Sequence, residues 1–241
     1  MRKVSIVIPA RNEESTIGIV LDELKSSITG INNYSFEIIV GLDHCSDRTE
    51  ELAREKGASV CANLSGPGKG NAIKAALSGS SGDIIVMLDA DGSHDPKDLG
   101  MLLKTIDDGF PLVIASRALG GSDEYERVRL FGNTFFTLLV CFLFKVRLTD
   151  SLNGYKAFRK DILNEGRKLR SSGFEIEIEL LYKALTFKAS VGEIKSHERQ
   201  RMGGKMKSHT FFDGMRFLRA ILKWGMRYRL DLLLNSKQTP G

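Results

Sequence analysis

The stretch Asp83–Asp91, DIIVMLDAD, sets an apolar run directly before two carboxylates. A run of this length indicates a buried strand, and Gly92–Pro96 (GSHDP) ends it as a turn. Open α/β sheets bind ligands beyond the carboxyl ends of their strands. Carboxylates at such a place suit Mg²⁺ or Mn²⁺, which in turn suits the phosphates of a nucleotide. Taken alone, Asp89-Ala90-Asp91 is more often a turn of solvated acids, so the rest of the chain has to decide.

Short apolar strands alternate with amphipathic helices through residue 115. The expected strands are 4–8, 36–40, 59–61, 83–88 and 112–115, and the expected helices are 13–27, 47–56, 69–78 and 98–108. This βαβα alternation predicts an α/β fold with a mostly parallel sheet that helices cover on both faces.

The second half of the chain is less regular. We expect helices at 127–145, 174–185 and 210–234, the last interrupted at Gly225, and a strand at 191–194. The first of these helices is apolar nearly all round but too short to span a bilayer, so it is buried or interfacial. We predict a domain over 1–208, a basic amphipathic helix over 209–234 and a tail over 235–241.

Composition narrows the class of protein. No run in the 241 residues reaches the ~18 consecutive apolar residues of a spanning helix, and no signal peptide is expected. Three cysteines without metal spacing indicate reduced thiols and a cytoplasmic protein. The net charge is +5, and basic residues outnumber acidic ones strongly between 197 and 229. This distribution predicts an anionic partner, which is a phosphate, an anionic lipid or a nucleic acid.

Two earlier strands also end in polar segments. Glu13 follows the first strand and Asp43 follows the second, on the sheet edge where Asp89 is expected. Taken singly, Glu13 and Glu14 are explained by a helix N-terminus, and Ser46 or Asp47 by a helix cap. The glycine-rich segment 66–71 lacks Walker-A spacing, so Lys69 is either a solvated lysine in a flexible turn or a contact to a nucleotide.

The ordered set of motifs is similar to family 2 glycosyltransferases with the GT-A fold. The first-half motifs are PARNE at 9–13, Asp43 with SDRT at 46–49, GKGNA at 68–72 and DAD at 89–91. The second half resembles the polyprenyl-phosphate, or dolichol-phosphate, sugar synthase branch. Its motifs are Ser116-Arg117, RVRLFGN at 127–133, the segment 149–159, FEIE at 174–177 and the segment 201–207.

The resemblance implies a role for each matching position. The donor is a UDP- or GDP-sugar and the acceptor is a polyprenyl phosphate. The implied nucleotide-sugar site is Pro9, Arg11, Glu13, Asp43, Lys69, Asp89, Ala90 and Asp91, with Mg²⁺ or Mn²⁺ on Asp89 and Asp91. The implied acceptor-phosphate site is Arg117, Arg129, Asn133, Arg201 and Lys207. The implied catalytic set is Asp91, Arg117, Arg129, Asp150 and Arg201, with Asp150 near the sugar or acceptor.

This chain departs from the family pattern at several positions. Leu42 stands where a second acid is common at the end of strand two, and Arg11 stands where an aromatic is usual. Ser93 replaces a common Gln two residues past the second metal-binding Asp, and Lys205-Met206-Lys207 alters the last loop. These departures leave the base and the sugar of the donor undetermined.

The two acceptor classes differ in their need for a base. A phosphate monoester has a second pKa of ~6, so it is largely dianionic at neutral pH. It therefore needs only positioning and charge screening by arginines. The resemblance also implies that the configuration of the anomeric carbon is inverted. A sugar hydroxyl requires a general base, for which Asp150, Glu175 and Glu177 are candidates. For the helix expected over 174–185, the alternative is a solvated face, since Glu175, Glu179 and Lys183 are spaced i,i+4.

The helix over 210–234 has two interpretations. Its apolar stripe and its basic stripe of Arg216, Arg219, Lys223 and Arg227 are typical of a helix at a membrane interface. Docking on the protein's own core explains the pattern as well. We expect peripheral attachment to the cytoplasmic face of a membrane. A soluble transferase for a sugar or small phosphorylated acid is the alternative. No nucleic acid is expected, because the acidic sheet edge repels a phosphate backbone.

Overall fold

The protein is built on one seven-stranded sheet. The computed structural model describes residues 1–124, 127–163, 168–203 and 210–236, without the side chains of 127–129, 210–213 and 235–236. The strands are β1 Arg2–Ala10, β2 Tyr34–Leu42, β3 Ser59–Ala62, β4 Ile84–Met87, β5 Leu112–Ser116, β6 Lys156–Arg159 and β7 Val191–Lys195. Their order is β3-β2-β1-β4-β6-β5-β7. All neighbouring pairs are parallel except the two that involve β6, so the predicted mostly parallel sheet is confirmed.

Helices cover both faces of the sheet. They are α1 Ile17–Thr29, α2 Thr49–Glu55, α3 Lys69–Ser78, α4 Leu99–Asp107, α5 Arg117–Gly120, α6 Arg127–Phe144, α7 Ile176–Thr186 and α8 Thr210–Ser236. The buried residues of α1, α2 and α4 form one core with one side of the sheet. Those of α3, α6, α7 and α8 form a second core with the other side. Alternation along β1 explains this division, since Ile6 and Ile8 enter the first core and Val7 the second.

Strand β6 is a feature that the sequence did not predict. It inserts between β4 and β5 and runs antiparallel to both. Its sequence, KAFR, places Lys156 at a fully buried position between two apolar strands. A lysine in a four-residue segment gives no strand signal, because buried lysines are stable only with a partner that lies elsewhere in the chain.

Helix α8 docks on α6 and α7 along one face. Phe217, Ala220, Ile221, Trp224 and Tyr228 face inward at helical spacing. The expected break at Gly225 is wrong, because α8 is continuous through Ser236.

Gly225 instead provides the close contact between α6 and α8. A Cβ at this position would lie 2.8 Å from Cβ of Leu143. Arg229 adds hydrogen bonds from its guanidinium to the carbonyls of Phe142 and Leu143 near the end of α6. The absent side chain of Gly225 therefore lets the two helices approach.

Within the described ranges, no helix is both long enough and apolar enough to cross a membrane.

Candidate active site

The carboxyl ends of β1, β2 and β4 meet at one edge of the sheet. Ala10 at the end of β1 pairs with Leu42 at the end of β2, and Asp43 follows immediately. Asp89 lies two residues beyond β4, the other neighbour of β1. These ends border a cleft of about 840 Å³. Every residue of the predicted nucleotide-sugar site lines it: Pro9, Arg11, Glu13, Asp43, Lys69, Asp89, Ala90 and Asp91.

Asp89 and Asp91 each form an ion pair with a basic side chain of the protein. Lys69 Nζ lies 2.7 Å from Asp89 Oδ1, and an Arg201 guanidinium nitrogen lies 3.3 Å from Asp91 Oδ2. Burial disfavours the charged form of Asp89, but the positive charge of Lys69 and the hydrogen bond that it donates outweigh burial and hold the pKa of Asp89 well below its usual range. Asp89 therefore carries a full negative charge at neutral pH.

The turn after Asp91 fixes the orientation of both carboxylates. Asp91 Oδ1 accepts hydrogen bonds from the backbone N–H of Ser93 at 3.1 Å and from its hydroxyl at 2.7 Å. His94 Nδ1 accepts from the Asp89 N–H at 3.1 Å, and its ring stacks on Tyr155 with centroids 5.1 Å apart. Ser93 thus fixes the Asp91 carboxylate through its backbone and its side chain.

A divalent cation fits this wall of the cleft. Mg²⁺ typically takes one or two carboxylates and completes its shell with substrate phosphates and water. Within the described residues no group of three or more His, Cys, Asp or Glu is arranged for metal binding. Asp89 and Asp91 are carboxylates on this wall that could hold a nucleotide-bound cation, and their role as its ligands stays a prediction.

Asp43 holds the glycine-rich loop in place. Its carboxylate accepts hydrogen bonds from the Gly68 N–H at 2.8 and 3.0 Å and from the Asn63 amide at 3.2 Å. Gly68 has φ +148°, and a Cβ there would lie 2.2 Å from the Ser172 carbonyl oxygen. The loop therefore needs glycine, and Lys69 begins α3 beside the acids.

A chain of buried charges lies behind Lys69. Lys156 Nζ lies 2.5 Å from Glu177 Oε2, and Lys69 Nζ lies 3.6 Å from Glu177 Oε1. Burial lowers the pKa of Lys156, although the negative charge of Glu177 opposes this. The pKa of Lys69 is raised, since Asp89 and Glu177 outweigh its desolvation. Glu177 is thus a structural anion between two lysines.

The acids of α7 do not form a solvated face. Glu179 is fully buried and accepts hydrogen bonds from the backbone N–H groups of Arg170 and Ser171. This corrects the alternative interpretation of the i,i+4 pattern, because these charges stabilise the segment 170–173 that lines the cleft. Glu175 also lines the cleft, and its Oε1 accepts from the Gly173 N–H at 3.1 Å.

The predicted acceptor residues are only partly brought together. Arg201 lines the cleft, whereas Arg117 and Asp150 form a buried pair with contacts of 2.6 and 2.9 Å outside its lining. Desolvation raises the pKa of Asp150, but hydrogen bonds from Arg117 outweigh it and lower the pKa overall. Asn133 lies half-buried on α6. The side chain of Arg129 and all of Lys207 lie outside the described residues, so their roles stay predictions.

Helix α8 supplies a cleft wall that the sequence did not assign. Arg216, Arg219, Lys223 and Trp224 all line the cleft that contains Asp89 and Asp91. The basic stripe was visible in the sequence, but its direction was not. The face that docks into the core fixes which of the remaining faces turns toward the acids.

Comparisons with known proteins identify the family of the chain. The model of Glycosyl transferase family 2 matches residues 5–167. A dolichol-phosphate mannosyltransferase of Pyrococcus furiosus is 30% identical over 92% of this chain, which spans 64% of that relative's length. A dolichyl-phosphate hexose transferase of Haloferax volcanii is 28% identical, over 95% of this chain and 96% of the relative.

A solved structure shares the fold. Glucosyl-3-phosphoglycerate synthase of Mycobacterium tuberculosis, crystallised with Mn²⁺, UDP and glucosyl-3-phosphoglycerate, superposes with a TM-score of 0.71 at 25% identity. The match covers 92% of this chain and 80% of that one. With the family model matching more than half of the residues, the chain belongs to glycosyltransferase family 2 and has the GT-A fold.

Proposed function

We propose that this protein transfers a hexosyl group, with inversion, from a nucleoside-diphosphate sugar to a polyprenyl phosphate. The observation that carries the proposal is a single cleft with an acidic wall, Asp89 and Asp91, and a basic wall on α8. The first wall suits a cation–diphosphate complex, and the second suits an anionic acceptor. The names of the Pyrococcus and Haloferax relatives support the lipid-phosphate acceptor.

The donor half of the reaction uses the strand-end residues. Pro9, Arg11 and Asp43, which line the cleft, would contact the nucleoside, and Asp89 and Asp91 would hold Mg²⁺ or Mn²⁺. Such a cation, when bound, neutralises charge on the leaving nucleoside diphosphate. Lys69 and Arg201 already contact the two carboxylates, so both are placed to bind phosphate oxygens once the donor arrives.

The acceptor half of the reaction needs no general base. A phosphate monoester with a second pKa near ~6 is already a nucleophile at neutral pH, so positioning and charge screening suffice. Two of the three candidate bases, Glu177 and Asp150, are engaged by cations, whereas Glu175 lines the cleft. Glu177 lies between two lysines, and Asp150 is paired with Arg117, which lowers its pKa and makes it a weaker base. These pairings support a phosphate acceptor over a hydroxyl.

Exposed apolar stripes on α6 and α8 support attachment to a membrane surface. On α6, Phe131, Phe135, Leu138 and Phe142 are 75%, 50%, 64% and 71% exposed. On α8, Met226, Leu230 and Leu233 form a matching exposed stripe. The Arg229 guanidinium lies 5.6 Å from the Phe142 ring centroid and connects the two helices. We propose that this surface rests on the cytoplasmic face of a membrane, and the unpaired thiols fit a reducing compartment.

Flotation with liposomes tests the membrane surface. The wild-type chain should float with vesicles that contain anionic lipid, and a Phe131→Ser/Phe142→Ser variant should stay in the dense fraction. Phe131 and Phe142 are mostly exposed, so neither substitution opens a core cavity. Equal flotation of the two proteins would refute this surface as the attachment site.

A second candidate acceptor is a small phosphorylated acid. The fold match to glucosyl-3-phosphoglycerate synthase favours it, because a free acid with a phosphate also suits a basic wall. The two candidates differ in the apolar surface, which a small acid does not require.

One panel of assays separates the candidates. Purified protein with Mg²⁺ or Mn²⁺ is given labelled UDP- and GDP-sugars, with either a polyprenyl phosphate or 3-phosphoglycerate as acceptor. The proposal expects label that extracts into organic solvent and that depends on both lipid and metal. Label found only in water-soluble product would replace it with the second candidate.

A further inference from the structure

The basic wall on α8 has a geometry that suits one particular ligand. Arg219 and Lys223 are one turn apart and line the same cleft as Asp89 and Asp91. Both are exposed, and the Lys223 ammonium lies 4.8 Å from the centroid of the buried Trp224 ring. In the described part of the chain, neither side chain has a carboxylate oxygen within 4.0 Å. Among the described residues, these two cations of the cleft lining thus have no carboxylate counter-ion.

Helix α8 presents three different faces. One docks into the core through Phe217, Ile221 and Trp224. The next carries Arg219 and Lys223 into the cleft. The third is an exposed apolar stripe, which consists of Met215, Leu222, Met226, Leu230 and Leu233 with exposures of 42%, 38%, 55%, 59% and 61%. The basic and apolar residues are neighbours on the helix surface, since Arg219 lies four residues after Met215 and three residues before Leu222.

A ligand that binds both the basic face and the exposed apolar stripe of α8 has an anionic head and an apolar tail. The head enters the cleft between α8 and the acidic wall, and the tail leaves along the apolar stripe. A nucleotide donor lacks the tail and is served by the strand ends. We infer that Arg219 and Lys223 bind the phosphate of the lipid acceptor, in addition to the arginines expected from the sequence. This inference deepens the proposed function and rests on it for the identity of the lipid.

The single tryptophan of the chain allows a direct binding test. Trp224 lines the cleft beside Lys223, so its fluorescence should respond when an anion enters. The full chain is titrated with a short water-soluble isoprenyl phosphate, the corresponding isoprenol, inorganic phosphate and UDP with Mg²⁺. Isoprenyl phosphate should give a saturable change with a lower Kd than inorganic phosphate, and isoprenol should bind much more weakly.

Charge removal then locates the site. Arg219→Gln and Lys223→Gln should each raise the Kd for isoprenyl phosphate about tenfold, equivalent to about 1.4 kcal/mol, with the Kd for UDP unchanged. Both residues are exposed, so circular dichroism should show an intact fold. The matched control is Lys25→Gln, which removes one charge from an exposed position on α1, on the opposite face of the sheet.

Several outcomes would overturn the site. One is an unchanged Kd for isoprenyl phosphate in Arg219→Gln. Another is a rise in the Kd for UDP with no rise in the Kd for isoprenyl phosphate. A third is a Kd for inorganic phosphate as low as the Kd for isoprenyl phosphate. Arg227 lies on α8 outside the cleft lining. If Arg227→Gln raised the Kd for isoprenyl phosphate as much as Arg219→Gln does, that result would also overturn the site.

Failure of the proposed function gives a different result. In that case wild-type protein forms no labelled lipid although isoprenyl phosphate binds with the expected charge dependence. If labelled lipid does form while Arg219→Gln and Lys223→Gln bind isoprenyl phosphate as the wild type does, only the α8 site is wrong.

Discussion

The two walls of the cleft come from different kinds of structure. The acidic wall, Asp89 and Asp91, follows the end of strand β4 and is complete by residue 91. The basic wall is one face of α8, more than a hundred residues later. Parallel strands bring their carboxyl ends to a common edge by hydrogen bonding alone. The position of α8 depends on how its side chains pack against α6 and α7.

This difference indicates how the two walls respond to substitution. The acidic wall is supported by backbone hydrogen bonds and buried ion pairs, so changes there should act on chemistry or on global stability. The basic wall is supported by packing between helices, and changes there should act on binding and on local docking. The predictions below test that contrast from the largest expected effect to the smallest.

Asp91→Ala should lower kcat/KM about thousandfold, because the cation on the diphosphate would lose one of the two protein ligands that we propose for it. Steady-state kinetics with a labelled nucleotide sugar measures the change. Thermal unfolding should show only a modest loss of stability from the two hydrogen bonds to Ser93.

The control for this substitution is Asp22→Ala, which removes an exposed ion pair with Lys56 on the other face of the sheet. It should keep wild-type kinetics. Full activity in Asp91→Ala would remove Asp91 from the metal site.

Lys156→Met should destabilise the protein by about 3 kcal/mol. The substitution removes the lysine at 2.5 Å and leaves the buried Glu177 with only Lys69, whose Nζ lies 3.6 Å from Oε1. Urea denaturation measures the free energy of unfolding. The double variant Lys156→Met/Glu177→Leu should recover most of the loss, since it removes both charges. If the double variant is no more stable than Lys156→Met, the loss of stability comes from losing the ion pair and not from leaving Glu177 unpaired.

Asp150→Asn should destabilise by about 2 kcal/mol at pH 7, through the lost charge-assisted bonds to Arg117. Because the pKa of Asp150 is lower in the folded state, its contribution is present above the unfolded pKa near ~3.9 and is lost as pH falls through the folded pKa. Urea denaturation of both proteins should therefore give a constant difference from pH 7 to ~5 and a smaller one below ~4. A difference that grows in acid would contradict this sign.

Gly225→Ala and Gly132→Ala should have opposite effects on stability. A Cβ on Gly225 would lie 2.8 Å from Cβ of Leu143, so the variant should lose about 1 kcal/mol despite a better helix propensity. A Cβ on Gly132, within α6, meets nothing within 4 Å and should gain up to about 1 kcal/mol. Thermal unfolding measures both. Stabilisation by Gly225→Ala would mean that α8 docks less tightly than the contact implies.

The sequence predicted the acidic wall well for a physical reason. Apolar runs that end in Glu13, Asp43 and Asp89 specify strand ends locally, and a parallel sheet has only one place to put them. The contacts between these acids and Lys69 or Arg201 could not be predicted, because they join residues far apart in the chain. Strand β6 was missed for the same reason, since Lys156 is stable in the sheet only with Glu177 beside it.

The sequence by itself determined the α/β alternation, the family and the residues at the strand ends, because hydrophobic periodicity and short motifs act over a few residues. It also determined that α8 is basic and amphipathic. Only the tertiary structure decided that Arg219 and Lys223 face the acids, that the α7 acids are buried, and that Arg117 pairs with Asp150. A helix pattern gives the angle between two faces, but the direction of either face is set by the core against which the helix packs.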